Sequence, residues 1–299
     1  MHAHCHATPA VGARRKPPWL RVRLPRDRRF ADLDEALRGL SLSTVCRSAR
    51  CPNISACFSR GTATFLILGE VCTRNCTFCN ITSGRPSPPS PDEPERISKA
   101  VQGMGISHAV LTSVTRDDLP DGGAGHLARV IARLKADHLG LCVEALVSDF
   151  QGNRQALAVV LESGVDILNH NVETVPELYA AVRPQAEYSR SLALLDAVRY
   201  LAPGVRSKSG LILGLGETEA QLVRVFKDLA GVDCHILTMG QYLAPSPAHY
   251  PVQRFLPPEE FEELGALARK AGIPVVFSAP LVRSSYYAAE IAAIWTGMP

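Results

Sequence analysis

A chain of 299 residues, 46% hydrophobic and 20% charged, can bury a large core in one domain or two. Lysine and arginine number 32 against 29 acids, and a formal net charge of +3 is too mild to argue for nucleic acid as a partner. No apolar run approaches the roughly 20 residues that cross a bilayer and nothing resembles a signal peptide, so a soluble, cytoplasmic protein without a membrane partner is expected.

The first thirty residues carry Arg14, Arg15, Lys16, Arg21, Arg23, Arg26, Arg28 and Arg29 against the single acid Asp27. A basic, acid-poor leader can be a transit peptide, but Pro17, Pro18 and Pro25 and the lack of an amphipathic run favour a solvated arm packed on the body. From Thr62 onward, apolar and β-branched runs predict strands at Thr62–Gly69, His108–Val114, Leu141–Val147, Asp166–Val172, Ser207–Gly214, His235–Leu243 and Pro274–Ser278. Between most of them, apolar spacing near 3.6 predicts helices at Ala124–Ala136, Asn153–Ser163, Ser189–Tyr200, Thr218–Ala230 and Pro258–Ala271. The proline-rich stretch Arg85–Pro94 reads as a surface loop that is neither helix nor central strand.

Alternating strand and helix imply a parallel sheet with right-handed crossovers. About six such units, fewer than the eight of a full barrel, predict an α/β fold: a partial (β/α)6 TIM-like barrel. The expected divisions are an N-terminal extension at 1–61, the barrel at 62–278 and a C-terminal tail at 279–299.

Six of the nine cysteines form two triplets, Cys46, Cys51 and Cys57 as C-x4-C-x5-C, then Cys72, Cys76 and Cys79 as C-x3-C-x2-C. Each triplet is one thiolate short of a four-ligand site, and a four-iron cubane held by three cysteines keeps one iron open for another ligand. Cys72 follows directly on a predicted strand, at the end where barrel enzymes assemble their sites. An open iron there could chelate S-adenosylmethionine and inject the electron that breaks a carbon–sulfur bond, giving a radical able to attack an unactivated C–H bond. Zinc sites prefer paired C-x2-C units or well-spaced histidines, which neither triplet has. Clustered cysteines in odd number suit a reducing compartment better than a disulfide framework.

Glu144, Asn169, Asn171, Glu173 and Arg183 follow or end predicted strands, where they could contact the ribose, amine and carboxylate of S-adenosylmethionine; exposed polar loop residues are the plain alternative. Lys208 and Ser209 open a strand and are weaker candidates. Gly214 and Gly216 read as a tight turn into the helix at Thr218 rather than a dinucleotide site. His108, His126, His138, His235 and His249 are scattered and expected in ordinary core or surface roles, and the same holds for Cys142 and Cys234 as small buried hydrophobes.

The run CTRNCTFC at Cys72–Cys79, with Phe78 before the last cysteine, resembles the radical S-adenosylmethionine signature, and Cys46–Ile81 as a whole is similar to the lipoyl synthase family. Further blocks agree: TRDDLPDGGAGH at Thr115–His126, VEALVSDFQGN at Val143–Asn153, HNVETV at His170–Val175, VRPQAEYSRSL at Val182–Leu192, KSGLILGLGE at Lys208–Glu217, QYLAPSPAHYPV at Gln241–Val252 and PLVRSSYYA at Pro280–Ala288. The resemblance departs at Ala56, where relatives usually carry glutamate, and at Tyr287, where histidine is common.

The resemblance implies two 4Fe-4S clusters, with Cys72, Cys76 and Cys79 holding the one that cleaves S-adenosylmethionine and Cys46, Cys51 and Cys57 holding an auxiliary cluster. It implies a serine as the fourth auxiliary ligand, matched here to Ser284. A hard oxygen on a soft cluster should leave readily, which suits a cluster that is itself the sulfur donor. Phe78, Glu144, Asn169, Asn171, Glu173 and Arg183 are the implied S-adenosylmethionine contacts. The implied reaction inserts two sulfur atoms at C6 and C8 of a protein-bound octanoyl-lysine and consumes two molecules of S-adenosylmethionine. The implied partners are octanoylated carrier domains such as those of 2-oxoacid dehydrogenase E2 and glycine cleavage H protein, a ferredoxin or flavodoxin reductant, and an iron–sulfur carrier that rebuilds the auxiliary cluster. Two competing readings are a sulfur-inserting enzyme of the biotin synthase type, which would lack the first triplet, and a non-catalytic iron–sulfur carrier, which would close each cluster with four protein ligands.

Overall fold

The computed structural model describes residues 15–21, 28–59 and 64–285. The start of the leader, the histidine-rich first residues, Tyr286 and Tyr287 lie outside the described residues. In chain order, helix α1 (Arg28–Gly39), strand β1 (Ser43–Thr44) and short helices α2 (Val45–Ser48) and α3 (Ile54–Ser59) lead to β2 (Thr64–Ile67). A small parallel pair, β3 (Val71–Cys72) and β4 (Thr82–Ser83), frames the second cysteine triplet. There follow α4 (Glu93–Met104), β5 (His108–Ser113), α5 (Ala124–Asp137), β6 (Cys142–Leu146), α6 (Arg154–Leu161) and β7 (Ile167–Asn169). The remainder is α7 (Tyr179–Val182), α8 (Tyr188–Leu201), β8 (Arg206–Leu213), α9 (Glu219–Gly231), β9 (Ile236–Gln241), α10 (Pro258–Lys270) and β10 (Val275–Ser278).

The main sheet runs β1-β2-β5-β6-β7-β8-β9-β10. Only β1 is antiparallel to its neighbour; the other pairs are parallel. Because spatial order follows chain order, every crossover steps the same way round, as in a barrel and not as in a doubly wound sheet. Among the described residues no pairing joins β10 back to β2, so the barrel is open. Six helical crossovers connect the seven parallel strands, the partial barrel expected from the pattern.

Strand periodicity decides which side chains face the barrel's interior. On β6, Val143 and Ala145 enter the core under the helices while Glu144 between them points the other way. On β8, Leu211 and Leu213 pack outward against α9 and α10 residues such as Phe226 and Phe261, and Lys208 alternates inward. Each fully buried Phe or Leu of these layers contributes roughly 1.5–3 kcal/mol. The lumen is thus left polar, with Glu144, Asn169 and Lys208 at 0% exposure.

Three differences from the sequence reading have local causes. Most strand ends draw in by one to three residues, because the apolar runs continue into buried loops such as 170–175, while β8 starts one residue earlier, at Arg206. Glu93 and Pro94 are not loop but the first turn of α4, where a proline's missing N–H costs nothing. The extension is not separate from the barrel: Ser43 and Thr44 pair with Leu66 and Phe65, and Leu33, Leu37 and Phe58 share a core with Phe65 and Ile97. Gly214 and Gly216, both at positive φ, make the turn before Thr218, whose side chain forms a capping box with Gln221 at the start of α9.

Candidate active site

The loop Cys72–Cys79 lies at the C-terminal end of β2, and each polar residue between its cysteines is tied to the barrel. Thr73 donates from both N–H and hydroxyl to the Thr115 carbonyl and accepts from the Asp117 N–H. The Asn75 N–H donates to Gln185 Oε1 at 2.6 Å, and Thr77 donates through its N–H to the Val182 carbonyl and accepts at its own carbonyl from the Tyr250 N–H. Arg74 is the centre of this scaffold. Its Nε and Nη2 grip Asp117 at 2.7 and 3.0 Å, and Nη2 also donates to Asp149 at 2.5 Å. Burial opposes the Arg74 charge, but Asp117 and Asp149 outweigh it and its pKa moves up. Burial likewise opposes the Asp149 carboxylate, and Arg74 overrides it, bringing the pKa down to about 2.

Removing Arg74 would leave Asp149, 1% exposed at its side chain, as a buried charge with only the longer Arg190 contact at 3.3 Å to balance it. Arg74→Met is therefore expected to cost about 3–5 kcal/mol and to lower the melting temperature of the cluster-free protein by about 5–15 °C. An unchanged melting curve would contradict this role.

The three thiols of the loop stand close enough to repel one another as thiolates. Burial raises Cys79 to about 12, with Cys76 and Cys72 adding to the rise. Burial also raises Cys76, while Arg183 pulls it down. A cationic centre shared by the three would relieve both burdens.

The first triplet gathers from three local structures: Cys46 on α2, Cys51 in the following turn and Cys57 on α3. All three line a cavity of about 260 Å³ with Asn53, Thr64, Arg283 and Ser285. Burial raises Cys46, opposed by hydrogen bonding from Thr64, and burial raises Cys51, opposed by the Asn53 N–H and by Arg283. No disulfide joins any of the eight described cysteines. Among the described residues, no set of three His, Cys, Asp or Glu side chains is placed to ligate a single metal ion. Two thiol triplets, each around a common space, fit a four-iron cube, whose ligating sulfurs stand farther apart than those around one ion.

Ser284 and Ser285 face different cavities. Ser284 faces a second cavity of about 230 Å³ with Glu173, Gly210, Thr238 and Arg283, and its hydroxyl accepts from Asn171 Nδ2 at 2.8 Å. It is Ser285 that shares the cavity of Cys46, Cys51 and Cys57. Arg283 lines both cavities and stands between them.

The remaining candidates separate into two groups. Glu144 is committed to Lys208, whose Nζ donates to its two oxygens at 2.8 and 2.9 Å, and to Asn169 Nδ2 at 3.1 Å. Burial would raise Glu144, but Lys208 and then His108 bring it to about 2. It braces Asn169 and has no oxygen turned to a ligand alone. Asn169, Asn171, Glu173 and Arg183, in contrast, converge beside the Cys72–Cys79 loop. Asn169 Oδ1 and Asn171 Oδ1 are buried acceptors without a partner, and so is the donor Nε of Arg183. Glu173 sits at φ 63°, a strained conformation for glutamate, and burial raises its carboxyl against the pull of Arg183. Arg183 is held by the carbonyls of Asn171 and Val172 and by Tyr179 Oη. Two free acceptors, a carboxyl and a guanidinium suit a ligand with an ammonium, hydroxyls and a carboxylate, the donor set of S-adenosylmethionine. Phe78 packs with Val182, Leu215 and Tyr242, an apolar wall on the same side.

Arg74, Asp117, Asp149, Asn53 and Thr64 were not anticipated as site residues. The sequence does carry Arg74 inside CTRNC and Asp117 inside TRDDLP, but their pairing is set by the β2 to β5 register. The scattered histidines take the ordinary roles expected: His126 pairs with Glu93, and His108 lies beside Glu144.

Residues 66–229 match the model of the radical SAM superfamily, and residues 7–51 match that of the N-terminal domain of lipoyl synthase of the radical SAM family. A lipoyl synthase of Nitratidesulfovibrio vulgaris (strain DP4) is 55% identical over 274 residues, covering 92% of this chain and 91% of the relative. One from Alkaliphilus metalliredigens (strain QYMF) is 50% identical over 280 residues, covering 94% and 97%. Streptococcus suis SuiB bound to precursor peptide SuiA superposes with a TM-score of 0.57 at 11% identity, covering 76% of this chain and 50% of that one, a likeness of fold alone.

Proposed function

The chain belongs to the lipoyl synthase family of the radical SAM superfamily, and on that premise we propose how its own residues divide the work. It is a sulfurtransferase that inserts sulfur at C6 and C8 of an octanoyl chain carried on a lysine of a carrier protein, using S-adenosylmethionine and two 4Fe-4S clusters. The clusters supply, when bound, the low-potential electron that cleaves S-adenosylmethionine and the sulfur that is transferred.

Cys72, Cys76 and Cys79 hold the cluster of the first step, on a loop that Arg74, Asp117 and Asp149 keep in place. Asn169, Asn171, Glu173 and Arg183 orient S-adenosylmethionine: the amide oxygens and Glu173 accept from its ammonium and hydroxyls, and Arg183 takes its carboxylate. Phe78 bounds the pocket on its apolar side, and Glu144 acts one layer below through Asn169. Cys46, Cys51 and Cys57 hold the consumed cluster. Its fourth ligand is Ser285, because that hydroxyl and not Ser284 lines the three-cysteine cavity.

The observation that carries this reading is two cavities, one with three thiols and one with Glu173 and Ser284, with Arg283 lining both. Octanoylated E2 domains and glycine cleavage H protein supply the chain, a ferredoxin or flavodoxin the electrons, and an iron–sulfur carrier the replacement cluster. No described helix is long and apolar enough to cross a membrane. Thiols in such number suit a reducing compartment, and on that ground we place the reaction in the cytoplasm. Anaerobically reconstituted protein is expected to hold about eight irons and to convert an octanoyl-lysine peptide into its lipoyl form. Cleavage of S-adenosylmethionine with no sulfur on the peptide would sink the assignment.

A further inference from the structure

The segment bearing Ser284 and Ser285 crosses the end of β9 as a strap. The Ala279 N–H donates to the Met239 carbonyl at 3.2 Å and the Gln241 N–H to the Pro280 carbonyl at 3.0 Å. The Val282 carbonyl then lies so near Gly240 that a Cβ there would come within 1.9 Å of it, so only glycine lets the strap seat. A side chain from the far end of the chain joins these contacts. Asn53 Nδ2 donates to the Leu281 carbonyl at 2.6 Å, across 228 positions of sequence.

Asn53 is 2% exposed and stands between Cys51 and Cys57. It lines the cavity of the three cysteines, Arg283 and Ser285. One residue therefore borders the cavity of the three cysteines and holds the strap with its amide. We propose that Asn53 is a positioning residue that clamps the strap onto the auxiliary cysteines, fixing Leu281 while Ser285 leaves and re-enters the cavity as sulfur is withdrawn.

The inference rests on the reading that the first triplet holds the sulfur donor. A serine that must let go needs slack, and a strap that lifted altogether would open the cavity to water. Pinning the chain at Leu281 reconciles the two. Four residues extend at most about 14 Å, so Ser285 can move away from the cysteines and still return to the same place. A strap held only by backbone contacts to β9 would have no link to the cysteine loop whose state it must follow.

Asn53→Asp keeps the shape, removes the donor and sets a carboxylate against the Leu281 carbonyl. In cluster-free protein, amide hydrogen exchange at Ala279, Gln241 and Val282 is expected to speed up about fivefold or more, with the β5 and β6 amides unchanged. In reconstituted protein, 5′-deoxyadenosine formed per lipoyl group should rise about threefold or more, because cleavage continues while sulfur is misplaced. A merely structural asparagine would lower both products together and leave their ratio at the wild-type value. Gly240→Ala lifts the strap from its other side and should give the same pair of changes, which keeps the test open if the first variant does not fold. Wild-type exchange at the strap, or fast exchange with a wild-type ratio, would overturn the proposal. A wild-type protein that makes no lipoyl group would sink the proposed reaction instead, and the exchange measurement would still read the clamp.

Discussion

Alanine in place of Cys72, Cys76 or Cys79 is expected to cut 5′-deoxyadenosine formation by at least about a thousandfold, roughly 4 kcal/mol of barrier, and to remove lipoyl product with it. The same change at Cys46, Cys51 or Cys57 should remove lipoyl product to a similar extent while cleavage of S-adenosylmethionine continues. The contrast follows from placement. The second triplet lies on the barrel loop that adjoins Glu173 and Arg183, whose charges act on Cys76, whereas the first lines its own cavity with Arg283 and Ser285. Quantifying both products from each variant under reducing, anaerobic conditions checks the division. Loss of cleavage in a Cys51 variant whose second cluster is still present would show that the triplets are not separate in function.

The second large effect separates two adjacent hydroxyls. Ser285→Ala is expected to lower sulfur insertion at least about a hundredfold, the scale of losing a group that orients a metal centre, with cleavage retained. Ser284→Ala removes an acceptor from Asn171 Nδ2 and should weaken S-adenosylmethionine binding by a few fold, near the net worth of about 1 kcal/mol for one hydrogen bond. The tests are the Michaelis constant for S-adenosylmethionine and the yield of lipoyl peptide in each variant. A reversed pattern, with Ser284→Ala abolishing insertion and Ser285→Ala active, would restore the assignment drawn from the motif alone.

Local chemistry made much of this legible beforehand. Parallel strands buried on both faces read as continuous apolar runs, so every barrel strand was visible, and a crossover helix such as α9 announced itself by a threonine cap and apolar spacing. The two triplets were legible because cysteine spacing on a short loop is itself the geometry of ligation. What escaped depends on contacts between distant segments. Helices α2 and α3 have only four and six residues, too few for periodicity to show, and the first triplet forms them by wrapping a cavity. The pairing of Glu144 with Lys208 appears only once β8 brings the two together. Arg74 needs Asp117 and Asp149 from two other loops. Which cavity Ser284 and Ser285 each line is set by where the strap crosses Gly240, a close approach that the RSSY motif does not encode.

The three-cysteine cavity, with Ser285 in its lining, is the proposed source of the transferred sulfur. The most direct measurement loads the protein with clusters built from heavy-isotope sulfide, removes free sulfide, and weighs an octanoyl-lysine peptide after a single turnover. Two heavy sulfur atoms in the product, absent when Cys46, Cys51 and Cys57 are replaced, are the predicted result. A lipoyl product carrying light sulfur, or heavy sulfur delivered without those cysteines, would contradict it.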